Sequence, residues 1–572
     1  MNSIQINTFL LFFVLIFSGR TARSQNDYYA DPVNIPIFLS GNFCELRPSH
    51  FHGGIDYKTQ QRTGLPIFSV AEGFIYRIVV SPTGYGKALY IEHPNGTSSV
   101  YAHLHRFRDD IEAYVKSEQY SRKSFAVDLS PEPNQFNVGR KEMIAYSGNS
   151  GSSGGPHLHF EIRDAATQDA LNPLMYNFTV KDNLPPRIFG VGIHPLSDNG
   201  HVQYKNSRQR YTATGAGSTY KLAAPQEITA SGRIGITLHV NDYYDGSHNP
   251  CGIYSASVMV NNKETFAFRF DRMPFSDTRY MNSHIDYEES VNHHRRVHRL
   301  WRQPGNRLKI YQNTVNNGII QVEDGQSYEI SIRVTDIAGN HATVNFSLKG
   351  EHRDMEVQTP SHTRFFTYDE DNSLVTPFIE LFASEGSFYD DFYFSYHVME
   401  KTSEFFSKIH RIHSETVPIH HPVRLRLLAE VLPLHLEEKS FIGKISDSGG
   451  KSYAGGTKQG NWFETDIRTF GTYAIMADTV APRIIPLSIK ENNALTESLR
   501  IRFTISDNLS GIKSYEGRID GEWVLFEYDQ KNRMLTYEFD PARMVMGKRH
   551  SLVLNVTDQV NNTATYEATF WK

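Results

Sequence analysis

An internal repeat constrains the fold of this chain more than any other feature of its sequence. The tripeptide Pro-Arg-Ile at positions 186–188 recurs at positions 482–484. The stretch ITLHVNDYYDG, which ends at Gly246, is echoed by IRFTISDNLSG, which ends at Gly511, and a Val-Thr-Asp tripeptide follows in each copy. Both copies alternate apolar and polar residues between Asx and Gly turns, and this pattern is typical of a small antiparallel β-sandwich.

The repeat also indicates how the 572 residues are divided, since a chain of this length needs several cores at roughly 150 residues each. We expect a mainly β protein with an N-terminal domain followed by about three β-sandwich domains. The predicted domains are residues 25–180, residues 181–350 (the first copy, with an insertion around 275–313), residues 351–478 and residues 479–572 (the second copy). The aromatic-rich composition, with 31 Tyr and 36 Phe, favours half-buried β faces.

The N-terminus is typical of an export signal. The apolar run from Phe9 to Phe17 is too short to span a bilayer comfortably, and Ala22-Arg23-Ser24 offers the small residues that a signal peptidase recognises. We therefore expect residues 1–24 to be removed and the mature chain to begin at Gln25. The residues before the run contain no Lys or Arg, so an uncleaved anchor is the alternative. No later segment is apolar enough to be transmembrane.

The N-terminal domain alternates short apolar runs with turns that contain glycine. Candidate strands are 66–70, 73–80 and 88–93, separated by the turn sequences PTGYG and PNG. The stretch from Asp109 to Tyr120 departs from this pattern, with acidic residues at its start and apolar residues at helical spacing. We predict a short surface helix there.

Three histidine-containing segments of this domain carry the chemistry. They are HGGID at 52–56, YAHLH at 101–105, and HLHFE at 157–161, which follows a glycine-rich turn. Residues i and i+2 of a strand face the same side, so His157 and His159 can point into one cleft while the intervening Leu158 faces the core. The glycine pair in the first segment allows the backbone to bend, so that His52 and Asp56 can converge.

Two histidines, one carboxylate and an open fourth position are the ligand set of a catalytic zinc site, because structural zinc sites are closed by four protein ligands. The HExxH helix of the commoner zinc proteases is absent from the sequence. The two cysteines, Cys44 and Cys251, lie far apart in the chain. They exclude both a disulfide framework and a cysteine-based structural zinc site.

These segments resemble the lysostaphin/LytM-type family of peptidoglycan-cleaving zinc endopeptidases, whose hallmarks are HxxxD, YxHL and a glycine-rich turn before HLHFE. The resemblance extends over about residues 50–163. It implies one Zn²⁺ per chain, held by His52, Asp56 and His159. It also implies that His103 and His157 are the catalytic pair, which acts on water and on the developing oxyanion. The implied fold is a small, strongly twisted antiparallel β-sheet with a groove across it.

The sequence departs from the family pattern at two places near these motifs. The family often has a tyrosine shortly before the first ligand, and here Glu45-Leu46-Arg47 occupies that neighbourhood. The helical insertion after His105 is longer than in the simplest members, and we expect it to reshape one wall of the groove. Glu161 is expected either to orient a histidine or to form an internal salt bridge. His105 is expected to line the groove or to be structural, and His93 to lie on the surface at a strand end.

The resemblance implies peptidoglycan as the substrate and the bacterial periplasm, envelope or exterior as the location. We expect the sandwich domains to position the enzyme against the wall or against an envelope protein partner. The net charge of −5 carries no basic bias that would suggest a nucleic acid partner. Two other functions remain open at this point: a non-catalytic regulator that activates another wall hydrolase, and an adhesin-like surface protein.

One pair of acidic residues has no place in this assignment. Asp242 and Asp507 occupy matching positions of the two repeat copies. They could bind calcium, but loops rich in Asn, Asp and Gly more often simply form turns.

Overall fold

The computed structural model describes residues 28–223, 225, 227–355, 361–495 and 497–572. The predicted signal segment and Gln25 lie outside this part of the chain. The protein is mainly β, as expected, and its sheets are largely antiparallel. The α-helices of the described residues are α1 Asp109–Arg122, α2 Met281–His284 and α3 Tyr287–His293, and 3₁₀ segments lie at Pro173–Met175, Phe275–Tyr280, Val315–Gly318 and Leu434–Lys439.

The first region is a strongly curved sheet with a short second sheet beside it. The main sheet has the order β1-β4-β13-β8-β7-β6-β10, and the second has the order β5-β12-β9. The strands are β1 Leu39–Gly41, β2 Leu46–Arg47, β3 His50–Phe51, β4 Ile55–Lys58, β5 Pro66–Phe68, β6 Gly73–Val80, β7 Lys87–Glu92, β8 Thr97–Leu104, β9 Arg106–Phe107, β10 Val127–Leu129, β11 Asn137–Val138, β12 Met143–Tyr146, β13 His157–Asp164 and β14 Ala170–Leu171. The central strands β4, β13 and β8 position the candidate site.

Helix α1 begins with Asp109 and Asp110 and ends at Arg122, so charges of both signs complement the helix dipole. Ile111 and Val115 face the sheet and are buried. The helix ends where Lys123 adopts a left-handed conformation. The predicted surface helix is therefore confirmed, and it extends two residues further than expected.

The second region wraps one continuous sheet around its core. Its order is β16-β19-β15-β17-β18-β27-β26-β20-β21-β24, and β27 also pairs with β19. The strands are β15 Arg187–Pro195, β16 His201–Val202, β17 Gln209–Ala216, β18 Thr219–Leu222, β19 Ile228–Asn241, β20 Ser255–Val260, β21 Lys263–Arg269, β22 Arg272–Met273, β23 Val297–Arg299, β24 Tyr311–Thr314, β25 Ile320–Val322, β26 Ser327–Thr335 and β27 His341–Gly350.

The third region pairs two five-stranded sheets, with the orders β29-β30-β34-β38-β37 and β32-β33-β39-β35-β36. Its strands are β28 Arg364–Phe366, β29 Asn372–Val375, β30 Ile379–Ala383, β31 Phe392–Phe394, β32 Tyr396–Met399, β33 Ile409–Ile412, β34 Val423–Leu428, β35 Ser440–Ile445, β36 Lys451–Tyr453, β37 Thr457–Gln459, β38 Trp462–Ile467 and β39 Gly471–Ala477.

The fourth region pairs a four-stranded sheet, β40-β42-β46-β45, with a five-stranded sheet, β41-β48-β47-β43-β44. Its strands are β40 Arg483–Pro486, β41 Asn493–Ala494, β42 Arg500–Ser506, β43 Ile512–Ile519, β44 Glu522–Val524, β45 Phe526–Asp529, β46 Met534–Glu538, β47 Arg549–Asp558 and β48 Thr563–Trp571. Each of the four regions has a hydrophobic core, and the boundaries predicted between them remain predictions.

The cores of the first two regions exchange residues. Cys44, from the N-terminal region, packs in the core of the second region, whereas Tyr244 and Cys251 pack in the core of the first. Strand β22 of the second region also pairs with β14 of the first. The Asn42 side chain makes two hydrogen bonds with the backbone of Gly252, at 2.7 and 2.8 Å. The two regions are therefore interlocked.

The fourth region packs back onto the first. Lys116 of α1 pairs with Asp540 at 2.7 Å, and the guanidinium of Arg543 lies 3.8 Å from the ring centroid of Tyr120. The Tyr120 ring also meets Trp523 edge-on. The helical insertion thus forms part of the docking surface for the last β region, together with Lys87, which pairs with Glu527 at 2.8 Å. None of the helices in the described ranges combines the length and the apolar character that a membrane crossing needs.

Candidate metal centre

Three potential ligand atoms meet on one face of the main sheet. The Nε2 atom of His52 lies 2.9 Å from Nδ1 of His159, and Oδ1 of Asp56 lies 3.1 and 3.0 Å from these two nitrogens. All three residues are buried, with at most 6% exposure. Asp56 and His159 are direct partners across β4 and β13, and opposed residues of paired strands have neighbouring side chains.

The hydrogen bonds of the two histidines identify their tautomers. Nδ1 of His52 donates to the carbonyl of Asn42 at 2.8 Å, and Nε2 of His159 donates to Glu161 at 2.7 Å. In the neutral tautomers, two nitrogen lone pairs and a carboxylate oxygen therefore face one another, which is unfavourable unless a cation or a proton lies between them. Ligand atoms bound to zinc at about 2.0–2.1 Å in tetrahedral geometry lie about 3.3 Å apart. The donor set and its spacing therefore fit a zinc ion.

The backbone bend before β4 depends on glycine. A Cβ atom at Gly54 would overlap the carbonyl oxygen of Phe160 on the neighbouring strand β13. Any side chain there would push β4 away from β13 and separate Asp56 from His159. The strand alternation also holds, because Leu158 and Phe160 are fully buried in the core while His157 and His159 face the site.

Glu161 both orients a histidine of the centre and forms an internal salt bridge, the two roles that the sequence left open. It accepts a hydrogen bond from His159 and pairs with Arg163 at 2.6 Å. The hydroxyl of Tyr85 donates to the same carboxylate, and its ring stacks on His159. Burial disfavours the charged form of Glu161, but Arg163 and His159 outweigh burial and lower its pKa to about 2. Glu161 is thus an ionised acceptor that orients His159.

An unexpected ionic chain reaches the centre from the second region. Arg296 pairs with Glu45 at 2.8 Å, and Glu45 pairs with Arg47 at 3.2 Å. Arg47 in turn donates to Oδ2 of Asp56 at 3.0 Å. Gly41 leaves room for this contact, because a Cβ atom there would collide with both Arg47 and Asp56. The segment that replaces the family tyrosine therefore contacts the metal-facing carboxylate from its other side.

His103 lies in a β-bulge, where Ala102 and His103 together oppose Ala88 of β7. Its φ of 59° is in the left-handed region, which is unfavourable for a residue with a side chain. Such bulges re-aim a side chain, and here His103 turns towards His157, with ring centroids 4.8 Å apart. Burial, together with His159 and His157, lowers the pKa of His103 to about 3, so this imidazole is neutral at ordinary pH.

The glycine-rich turn before β13 orients the rings of His103 and His157 in the same way. Nδ1 of His103 donates to the carbonyl of Ser150 at 2.9 Å, and Nδ1 of His157 donates to the carbonyl of Gly155 at 2.8 Å. In the neutral tautomer neither Nε2 carries a proton, and Nε2 of His157 lies 3.5 Å from Oδ1 of Asp56. The same turn is held from outside, because Lys531 of the fourth region donates to the carbonyls of Asn149 and Gly151.

The structure thus brings together all five residues that the sequence singled out, His52, Asp56, His103, His157 and His159. Arg47 and Tyr85 also contact the centre, and their part in it was not predicted. His105 is exposed, at the end of β8. The prediction for His93 was wrong: it is 3% exposed and hydrogen-bonds to the carbonyl of Glu72 and to Ser99.

Comparison with known families matches two parts of the chain. Residues 50–120 match Peptidase family M23, and residues 363–478 match the Zu5-like domain. An M23 peptidase domain of the lysostaphin/LytM type therefore lies near the N-terminus, and β-rich regions follow it.

Two curated relatives resemble the N-terminal part. The DD-carboxypeptidase/endopeptidase Mpg of Neisseria meningitidis is 35% identical over 149 residues, which are 25% of this chain and 28% of the relative. A protein of Haemophilus influenzae described as an uncharacterized metalloprotease is 30% identical over 129 residues, 23% of this chain and 21% of the relative. The matches thus span less than a third of either relative's length.

Two solved structures are similar to part of the chain at lower identity. A variant of the catalytic domain of the prophage-encoded M23 protein EnpA from Enterococcus faecalis is 24% identical, with a TM-score of 0.20; the match covers 26% of this chain and 98% of that domain. The catalytic domain of lysostaphin from Staphylococcus simulans is 19% identical, with a TM-score of 0.19 and coverages of 25% and 92%.

Proposed function

We propose that the M23-type domain at the N-terminus is a zinc metalloendopeptidase that hydrolyses peptide bonds of bacterial cell-wall peptidoglycan. The observation that carries the proposal is the convergence of two imidazole lone pairs and one carboxylate oxygen within 2.9–3.1 Å, each supported by a partner behind it. The substrate class rests on the family match and on the names of the relatives, a carboxypeptidase/endopeptidase and an antimicrobial peptidase.

In this proposal His52, Asp56 and His159 hold one Zn²⁺. Asn42 and Glu161 fix the two histidines in the tautomers that offer a lone pair to the metal. When bound, zinc supplies a Lewis acid that polarises the scissile carbonyl and lowers the pKa of a water to about 7.

His103 and His157 act beside the metal ligands as proton carriers and hydrogen-bond donors. Because the turn carbonyls hold both Nδ1 protons, each neutral ring offers its Nε2 lone pair to a proton of the attacking water and, once protonated, can donate that proton to the leaving amine. Nε2 of His157 would do so from a position 3.5 Å from Oδ1 of Asp56. The protonated imidazole can also stabilise the negative charge that develops on the carbonyl oxygen. The left-handed backbone of His103 is the local strain that this placement requires.

The proposal is tested by digesting purified peptidoglycan with the zinc-loaded protein and identifying the fragments by mass spectrometry. We expect new amino and carboxyl termini within stem peptides or cross-bridges. His159→Ala is expected to lose both zinc and product, whereas His105→Ala, a change of an exposed histidine just beyond the end of β8, should retain both. Intact peptidoglycan after incubation with fully zinc-loaded protein would refute the proposal and favour the regulator.

We also propose that the protein is exported to the cell envelope, where its substrate lies. The proposal rests on the apolar run at 9–17 and the small residues before Gln25. N-terminal sequencing of protein recovered from the envelope fraction should yield Gln25 or a close neighbour. Recovery of chains that retain Met1 would instead support an uncleaved anchor.

A further inference from the structure

Two clusters of three aspartates lie outside the histidine site, one in each repeat copy. The first aspartate cluster consists of Asp182, Asp242 and Asp336, and the second consists of Asp478, Asp507 and Asp558. In each cluster, three carboxylate oxygens lie within 4.8 Å of one another. Neither cluster takes part in the proposed peptidase chemistry.

The two clusters are equivalent residue by residue. Asp182 and Asp478 each stand four positions before the first residue of the repeated Pro-Arg-Ile. The second members follow the ends of β19 and β42, and the third members lie at the ends of β26 and β47. The repeat has thus kept three carboxylates together at two places.

The supporting hydrogen bonds are also repeated. Asn340 donates to both carboxylate oxygens of Asp336, at 2.8 Å each, and to the carbonyl of Asp182 at 3.3 Å. Asn562 makes the same three contacts with Asp558 and Asp478, at 2.7, 2.7 and 2.9 Å. In each cluster one asparagine thus holds the third carboxylate beside the backbone of the first aspartate.

The lack of hydrogen-bond partners at Asp242 distinguishes the first cluster from an ordinary turn. Its side chain is fully buried, and neither Oδ1 nor Oδ2 has a hydrogen-bond partner. Oδ2 of Asp182 and Oδ1 of Asp507 also lack partners. A buried carboxylate that only capped a turn would accept backbone N–H groups, as the other oxygen of Asp507 does from Leu509 and Gly511.

Within the described ranges, no Lys, Arg or His forms an ion pair with Asp182, Asp242 or Asp336, and the neighbouring Lys181 pairs with Asp245 instead. Burial, with a further contribution from the neighbouring aspartates, raises the pKa of Asp182 to about 7 and raises the pKa of Asp242 well above its ordinary value. Three carboxylates held this close together, two of them buried, are unfavourable without a bound cation.

We infer that each aspartate cluster binds one Ca²⁺, so that the chain carries two calcium ions in addition to the proposed zinc. The ligands are all hard oxygen atoms, which calcium and magnesium prefer, whereas zinc is better suited by imidazole and thiolate ligands. Magnesium usually retains several waters and takes one or two carboxylates, whereas calcium accepts several carboxylates in flexible geometry. Three converging aspartates therefore favour calcium.

The position of the clusters indicates what the cation does. Asp182 lies in the segment that leads from the peptidase region into β15, and Asp478 lies between β39 and β40. Each cation would tie the segment that enters a repeat copy to two of its strand ends. We therefore expect calcium to fix the junctions before the second and fourth regions.

The test is a calcium titration of the full, zinc-loaded protein by isothermal calorimetry, together with thermal unfolding with and without calcium. We expect two sites with dissociation constants of about 10⁻⁴–10⁻³ M, the range of extracellular modules, and a rise in melting temperature on addition of calcium. Asp242→Asn and Asp507→Asn should each remove one site. Asp245→Asn, which removes a nearby charge outside the cluster, should retain both sites.

Asp242→Asn also separates a cation ligand from a merely structural aspartate. Because the change relieves repulsion among three carboxylates, the calcium-free variant should melt no lower than the calcium-free wild type, while losing part of the calcium-dependent rise. Absence of binding at about 10 mM calcium, tenfold above the weak end of this range, two sites retained in both variants, or equal affinity for magnesium would each overturn the inference.

Discussion

Arg47 is the residue-scale feature that most distinguishes this centre from a bare three-ligand site. Its guanidinium contacts Oδ2 of Asp56, so that Oδ1 is directed towards the two histidine nitrogens. Glu45 and Arg296 hold Arg47 in turn. Outer contacts of this kind orient metal ligands and contribute to affinity.

We therefore predict that Arg47→Met weakens zinc binding by about 10–100-fold, the usual effect of losing an outer-shell partner. The methionine keeps the apolar stem but leaves Asp56 free to rotate. Competition with a chelator of known affinity measures the change, and Arg62→Met, on an exposed turn of the same region, serves as the control. Equal zinc affinity in both variants would show that Asp56 needs no partner.

The proposed catalytic pair, His103 and His157, should respond differently from the proposed zinc ligands. His103→Ala or His157→Ala should leave zinc bound and lower turnover on peptidoglycan by about 10²–10⁴-fold, as expected for loss of a positioned acid–base or oxyanion group. His52→Ala or Asp56→Ala should lose both metal and activity. Zinc content and turnover are measured on the same preparations. If His157→Ala releases the metal while His159→Ala retains it, the two roles are reversed.

The sequence could predict the residues whose placement follows a local rule of backbone geometry. Strand alternation put His157 and His159 on one face, and the glycine pair allowed His52 and Asp56 to converge. The environment of Arg47 and the burial of His93 depend on contacts with distant residues, which leave no periodic signal along the chain. The bulge at His103 depends on a partner strand, and it was equally invisible.

Among the elements, the glycine-rich turn before β13 connects the histidine site of the first region with the fourth region. Its carbonyls hold the Nδ1 protons of His103 and His157, while Lys531 contacts it from the fourth region. An element of the last region thus bears on the geometry of the first. Helix α1, the insertion predicted to reshape the groove, provides part of the docking surface for that region.

We expect Lys531→Ala to loosen this turn and to reduce turnover by a few-fold without loss of zinc. The modest size follows from the partial exposure of this contact, since exposed charged interactions contribute about 1 kcal/mol or less. Lys513→Ala, which removes a lysine paired with Asn561 on the same region, is the matched control. Turnover and zinc content of both variants decide the question, and unchanged turnover would mean that the fourth region does not influence the turn.

At the scale of the whole molecule, the interlocked cores determine which truncated chains can fold stably. A chain ending at residue 180 lacks Tyr244 and Cys251, which are 1% and 3% exposed in the peptidase core. It also lacks Gly252, which binds Asn42, whose carbonyl holds His52. Burying two such side chains contributes about 3–5 kcal/mol, a large part of the usual stability of 5–15 kcal/mol.

We predict that a chain covering residues 25–180 melts far below the full protein and binds zinc poorly. A chain covering residues 25–355 retains the exchanged residues and should keep zinc and a cooperative unfolding transition. Thermal unfolding and zinc content of the two chains test this directly. Full zinc occupancy and an unchanged melting temperature in the shorter chain would contradict it.

The exchange of core residues between the first two regions has a consequence for the order of events during synthesis. Domains usually fold in the order in which they leave the ribosome or the export channel. Here all five histidine-site residues emerge long before Tyr244, Cys251 and the β22 strand that extends the first sheet. The first region therefore completes its core only after about half of the chain has been delivered, and the position of these residues along the chain sets the time at which the histidine site can mature.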